Sequence, residues 1–158
     1  YETGKPMPQE LITKIVSSRL FNQGFETVEY LAASFLDMDW HTLTNTTERD
    51  VPKFEKESLT KIGLIPQIES RYLSTNFQHI FTGSGYSAGY YSYIWAAVLD
   101  ADAFEAFKEK GLFDQATATS FRKNVLSKGG SEDVMLLYKR FRGAEPKVDA
   151  LLKRRGLN

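Results

Sequence analysis

The residues best suited to chemistry lie in one stretch, His79-Ile80-Phe81-Thr82-Gly83-Ser84-Gly85-Tyr86-Ser87-Ala88-Gly89-Tyr90-Tyr91-Ser92-Tyr93-Ile94-Trp95. On a helix, Tyr86, Tyr90 and Tyr93 follow the i, i+4, i+7 rule and share a face, with Tyr86 and Tyr93 about 10 Å apart along the axis. A phenol donates a hydrogen bond without carrying charge, so such a stripe suits a groove that holds peptide carbonyls or stabilises a developing oxyanion. Gly83, Gly85 and Gly89 allow positive φ and close passage of another chain. The same spacing also describes ordinary core tyrosines with hydroxyls bonded at the margin, and periodicity does not separate the two readings.

Other chemistries find less support. A catalytic zinc normally needs three protein ligands, yet the chain has two histidines, His41 and His79, no cysteine and no H-E-x-x-H arrangement. The chain alone is therefore expected to bind no metal. Asp39-Trp40-His41 sets a carboxylate near an imidazole, but a polar cluster at a helix end beside a packed Trp explains it more simply. No G-x-S-x-G elbow is present, and Ser84 sits between two glycines as loop residues do. Gly83-Ser84-Gly85-Tyr86-Ser87-Ala88 matches the permissive dinucleotide fingerprint after a possible short strand, Gln78 to Phe81. That pattern needs a second strand ending in an acidic residue about 20 positions on, where this sequence continues as helix.

The elements that must position these residues read as all-α, in one helical unit over residues 1–158. Leu11, Ile12, Ile15 and Val16 predict a first helix, broken at 22–24. Phe25, Val28, Ala32, Phe35, Leu36 and Leu43 give a long second helix packed on a neighbour, with Glu26, Glu29 and Asp37 on its other face. Thr44 to Pro52 reads as a surface loop whose Asn45-Thr46-Thr47 sequon is loop chemistry. A charged helix follows from Lys53 to Lys61, and Arg71 to Phe81 has no clear period. Tyr86 to Lys110 predicts a central helix with a buried first half, ended by Gly111. Asp114 caps a helix through Phe121, Val125 and Leu126. Ser131 caps one through Val134, Leu137, Tyr138 and Phe141, and the last helix starts at Pro146.

The 158 residues are 42% hydrophobic, enough for one ordinary core. Twenty basic residues balance twenty acidic ones, so no global field draws the chain to nucleic acid or to an anionic membrane. No run reaches the roughly 18 apolar residues of a membrane span. Absence of cysteine excludes disulfides and thiolate metal sites and fits a reducing, cytoplasmic setting, with a periplasmic one still open. The chain opens Tyr1-Glu2-Thr3-Gly4 and reads as a segment cut from something longer.

The run from His79 to Trp95 resembles the His-Ile-Phe, Gly-Tyr, Ala-Gly-Tyr-Tyr, Tyr-x-Trp segment of the zinc oligopeptidases of the thimet oligopeptidase and peptidyl-dipeptidase family. Glu2-Thr3-Gly4, Phe21-Asn22-Gln23-Gly24-Phe25, Val98-Leu99-Asp100-Ala101-Asp102-Ala103-Phe104 and Phe141-Arg142-Gly143-Ala144-Glu145-Pro146 are similar to that family's carboxy-terminal region, in order. The Asp-Ala-Asp-Ala-Phe stretch leans toward the peptidyl-dipeptidase branch. The resemblance implies a helical lobe forming one wall of a narrow channel that takes short peptides, with zinc held in an upstream part of the same polypeptide. It implies that His79, Tyr86, Tyr90 and Tyr93 contact substrate, with Gly83 and Gly85 in the loop, and that Tyr86 and Tyr93 help polarise the scissile carbonyl. The Thr82-Gly83-Ser84-Gly85 loop is longer than the family pattern, which loosens the register of His79. By itself such a piece is expected to be inert and to self-associate through apolar area. The rival reading is a helical module that binds peptides without cutting them.

Overall fold

The computed structural model describes residues 2–157, and among these every regular element is helical. The chain divides between Ser92 and Tyr93 into two compact units. The first holds α1 (Gln9–Ser18), α2 (Gln23–His41), α3 (Val51–Lys61), a 3₁₀ turn (Ser74–Asn76) and the single turn α4 (Gln78–Phe81).

α1 forms where the apolar stripe predicts it, but none of its residues is buried. In α2 the buried face is Ala32, Ala33, Ser34, Leu36 and Asp37, while Phe25, Val28 and Phe35 are exposed. This reverses the expectation for Asp37, placed by sequence on the outer face with Glu26 and Glu29. The cause is steric. The small Ala33 lets Phe77, Ile80 and Tyr90 close onto the helix, flanked by Tyr30, Trp40 and Tyr72, and Asp37 lies one turn further along the same side.

α3 starts two residues before the predicted Lys53. Asp50 accepts from the Lys53 amide at 3.0 Å, and Pro52 occupies the first turn, where its missing N–H costs nothing. Ser58 Oγ donates to Asp39 at 2.8 Å, Lys61 pairs with the same carboxylate at 3.2 Å, and the Trp40 and Phe54 rings lie 4.0 Å apart. Trp40 Nε1 donates to Ser74 Oγ at 2.9 Å, and Ser74 gives its amide and hydroxyl to Glu55 at 2.7 and 2.8 Å. These bonds fix Ser74, in the segment 71–81 that has no clear period, against α2 and α3. Gln78 to Phe81 is helical, so the strand that a dinucleotide fingerprint requires is not formed.

The second unit holds α5 (Ser92–Lys110), α6 (Gln115–Phe121) running into a π turn (Arg122–Leu126), α7 (Val134–Arg142) and α8 (Asp149–Arg155). The predicted helix from Tyr86 therefore begins six residues late, and its first turns are not buried: Tyr93 and Trp95 are each 44% exposed. The interior side of α5 is Val98, Ala101, Asp102, Ala103 and Ala106, with Val98 and Ala101 against Leu151 of α8.

The Asp100-Ala101-Asp102-Ala103-Phe104 run is thereby divided. Asp102 is buried and accepts from the Tyr138 hydroxyl at 2.6 Å, with Arg142 Nε 3.4 Å away; the Arg142 guanidinium also forks onto Glu109 at 2.9 and 3.2 Å. Asp100 faces outward to Arg154 at 2.6 Å. Phe107, Phe121 and Phe141 form an aromatic triad with centroids 5.0–6.2 Å apart.

Asp114 caps α6 as predicted, accepting from the Thr117 amide at 2.7 Å. α7 is capped by Asp133 rather than Ser131, because its carboxylate stands at the right spacing from the Leu136 amide, 2.9 Å. Gly143, at φ 83°, closes α7 in the left-handed conformation that glycine adopts without strain. α8 starts at Asp149, three residues after the predicted Pro146.

Candidate functional site

Residues 82–91 form a series of turns between α4 and α5. A helix from Tyr86 would send amides from Tyr90 onward to carbonyls four residues back, but the amides here bond differently. Gly89 N donates to Tyr86 O at 2.8 Å and Ser92 N to Gly89 O at 3.0 Å. Ala88 N and Tyr90 N donate to the two carboxylate oxygens of Asp37, at 3.0 and 2.9 Å. The helical face shared by Tyr86, Tyr90 and Tyr93 is therefore not formed, and this corrects the periodicity argument. The positive φ expected of Gly83, Gly85 and Gly89 falls instead on Ala88, at 53°. Gly89 still matters for close approach, since a Cβ there would lie 3.4 Å from the Tyr86 backbone.

In the first unit the structure brings His79, Tyr86 and Tyr90 together. The His79 ring lies 6.0 Å from Tyr86 and 5.8 Å from Tyr90, both edge-on, and 5.6 Å from Tyr72. Tyr90 is buried: Phe77 meets it edge-on at 4.9 Å, Tyr30 stacks on it at 5.3 Å and the Tyr30 hydroxyl donates to its carbonyl. Tyr86 is exposed at 36% beside this core, as is His79. Gly83 and Gly85 have open space where a Cβ would stand. Tyr93, in the second unit, is on the first turn of α5 with its side chain accessible.

Sequence reasoning missed Asp37, Tyr72 and Tyr30. The carboxylate that meets His41 is Asp37, one turn earlier at 2.8 Å, and Asp39 serves α3 instead. The Asp-x-x-x-His spacing was the available signal, because i and i+4 side chains meet on a helix.

Burial pushes the Tyr90 phenol well above its ordinary range, helped by Tyr72 and opposed by Arg71. Burial does the same for Tyr138, followed by its hydrogen bond to Asp102. Both groups hold their protons more tightly folded than unfolded. Their contribution is complete below about pH 10, the unfolded value, and is lost as pH rises, at up to about 1.4 kcal/mol per pH unit for each. Urea midpoints should fall between pH 9 and 11, and Tyr90→Phe with Tyr138→Phe should flatten that fall. An equal alkaline drop in wild type and double variant contradicts this account.

Among the described residues no three His, Cys, Asp or Glu side chains gather as metal ligands would. The His41 Nδ1 is engaged by Asp37, and His79 stands among aromatic rings. The residues present do not fit a zinc site, so no step is assigned to a metal here. No described helix is long and apolar enough to cross a membrane.

The model of peptidase family M3 matches residues 1–157. This chain belongs to peptidase family M3. It is 43% identical over 160 residues to dipeptidyl carboxypeptidase of Escherichia coli, covering 100% of this chain and 23% of that protein. Oligopeptidase A of Haemophilus influenzae is 39% identical over 158 residues, covering 99% of the chain and 23% of the relative. Saccharolysin of Saccharomyces cerevisiae is 32% identical, covering 99% and 22%. The chain thus spans under a quarter of the length of these M3 relatives, and family membership accords with the resemblance carried by the His79–Trp95 segment.

Proposed function

We propose that this chain is the substrate-contacting part of a zinc metallopeptidase that hydrolyses short peptides, in the manner of a peptidyl-dipeptidase or oligopeptidase. The metal and its ligands would belong to the remainder of the same polypeptide. In this reading Tyr86 and Tyr93 donate phenolic hydrogen bonds to the peptide and to the oxygen of the scissile carbonyl as it gains charge. His79, edge-on to Tyr86, binds the substrate backbone. Tyr90 contributes beside His79, whose ring meets its buried ring edge-on, and Gly83 and Gly85 leave the loop open for an extended chain.

The observation that carries this reading is the accessibility of Tyr86 and Tyr93, each more than a third exposed, in a chain that belongs to the M3 family. Apolar side chains left uncovered on α1 and α2, among them Ile15, Val16, Phe25 and Phe35, support a surface made to meet more protein. Either the remainder of the polypeptide or, for the chain by itself, a second copy would cover it.

The test compares the isolated chain with the longer polypeptide that carries it. The longer protein should cleave a blocked tripeptide and retain about one zinc per chain. The isolated chain should do neither and should sediment as more than a monomer at high concentration. Peptide binding without cleavage by the longer protein would replace this reading with a non-catalytic helical peptide-binding module.

A further inference from the structure

Asp37 is a wholly buried charge on α2 whose oxygens are all engaged. Its Oδ1 accepts from the Ala88 amide at 3.0 Å and stands 2.8 Å from His41 Nδ1; its Oδ2 accepts from the Tyr90 amide at 2.9 Å. A carboxylate taken out of water is costly unless such charge-assisted bonds replace its hydration. Both hydrogen-bond donors to the carboxylate are backbone amides of one turn, 51 and 53 residues away in sequence.

One of the two bonds is made by the strained residue of the turn itself. Ala88 is at φ 53°, a conformation that a residue with a Cβ adopts only at a cost. Gly89 then folds back so that its amide reaches Tyr86 O. The direction in which the chain departs toward Tyr86 is therefore set by a carboxylate that itself lies in the interior, away from any peptide.

We propose that Asp37 is a positioning residue for peptide hydrolysis, its carboxylate clamping the 86–90 turn in the form that presents Tyr86 beside His79. The proposal rests on the peptidase reading above for its kinetic consequence, and on geometry alone for the clamp. Asn at 37 keeps the size but loses the charge and turns an NH₂ toward one of the two donating amides, so the turn is released while every substrate-contacting group remains.

The experiment uses the full-length polypeptide with its metal. If the wild type hydrolyses no peptide, the peptidase reading fails, and the clamp is still judged by hydrogen exchange. In wild type the Ala88 and Tyr90 amides should exchange as slowly as those of residues 32–36. In Asp37→Asn they should exchange at least about tenfold faster while residues 32–36 are unchanged. The kcat should fall by about 10- to 100-fold with KM within about threefold, the scale expected of a misplaced catalytic group. Adding Ala88→Gly, which removes the Cβ penalty, should recover at least about threefold of that loss.

If Asp37→Asn does not fold, Asp37→Glu, which keeps the charge and displaces it by one methylene, provides the kinetic arm. Wild-type Ala88 and Tyr90 amides exchanging as fast as those of Gly83 and Gly85 would overturn the proposal. So would a kcat/KM for the Asp37 variant within twofold of wild type, or a loss of kcat that follows thermal stability alone and is not recovered by Ala88→Gly.

Discussion

Replacing Tyr86 or Tyr93 by Phe in the full-length protein is expected to lower kcat on a short peptide by about 10²- to 10³-fold, the usual consequence of deleting one oxyanion donor. KM should change little, because a bond that forms fully only in the transition state contributes little to ground-state binding. Both side chains are accessible, so loss of one hydroxyl should leave thermal stability nearly unchanged. Tyr90→Phe provides the contrast. That ring is buried against Tyr30, Phe77 and Tyr72, and its loss of a hydroxyl should appear first in stability, with kcat falling much less. Steady-state kinetics with melting curves on the three variants decide the matter. Equal kcat in wild type and both exposed-site variants would remove these hydroxyls from the reaction.

Phe77→Ala is expected to be the most damaging single change to the first unit. Phe77 is 1% exposed and its ring touches Tyr72 at 4.7 Å, Tyr90 at 4.9 Å and His79 at 6.3 Å. Truncating a buried Phe costs about 3–5 kcal/mol, transfer and cavity together. In a chain of this length that lowers the melting temperature by about 10 °C. Because His79 and Tyr90 both rest on that ring, activity should fall as well, and Phe77→Leu should restore most of the stability with less of the activity. Differential scanning calorimetry checks the first part, and a shift under about 3 °C would show that the cavity collapses at little cost.

Much of the fold was legible because its signals are local. The stripe Leu11, Ile12, Ile15 and Val16 and the cap at Asp114 each depend on residues within a turn or two of each other. The elements misread are those decided at a distance. Apolar and aromatic content favours a helix from Tyr86, yet α5 starts at Ser92, and the Ala88 and Tyr90 amides bond to Asp37 on α2. Nothing within residues 82–92 encodes that competition. The burial of α2 was legible only in part for a related reason: Ala32 and Leu36 of the expected stripe are buried, but Phe25, Val28 and Phe35 are exposed, because the side carrying Ala33 is the one Phe77 and Ile80 can approach. Of the site, the residue types and their neighbourhood were legible. The route by which they meet was not, because it runs through a turn rather than a helical face.

Alternation in Asp100-Ala101-Asp102-Ala103 has a further meaning. Its alanines are interior residues that let α5 sit close to its neighbours, and its acids divide between the Tyr138 hydroxyl within and Arg154 at the surface. A run used in this way for volume and internal pairing fixes how α5 packs, and a change at Asp102 would disturb Tyr138 and Arg142 directly.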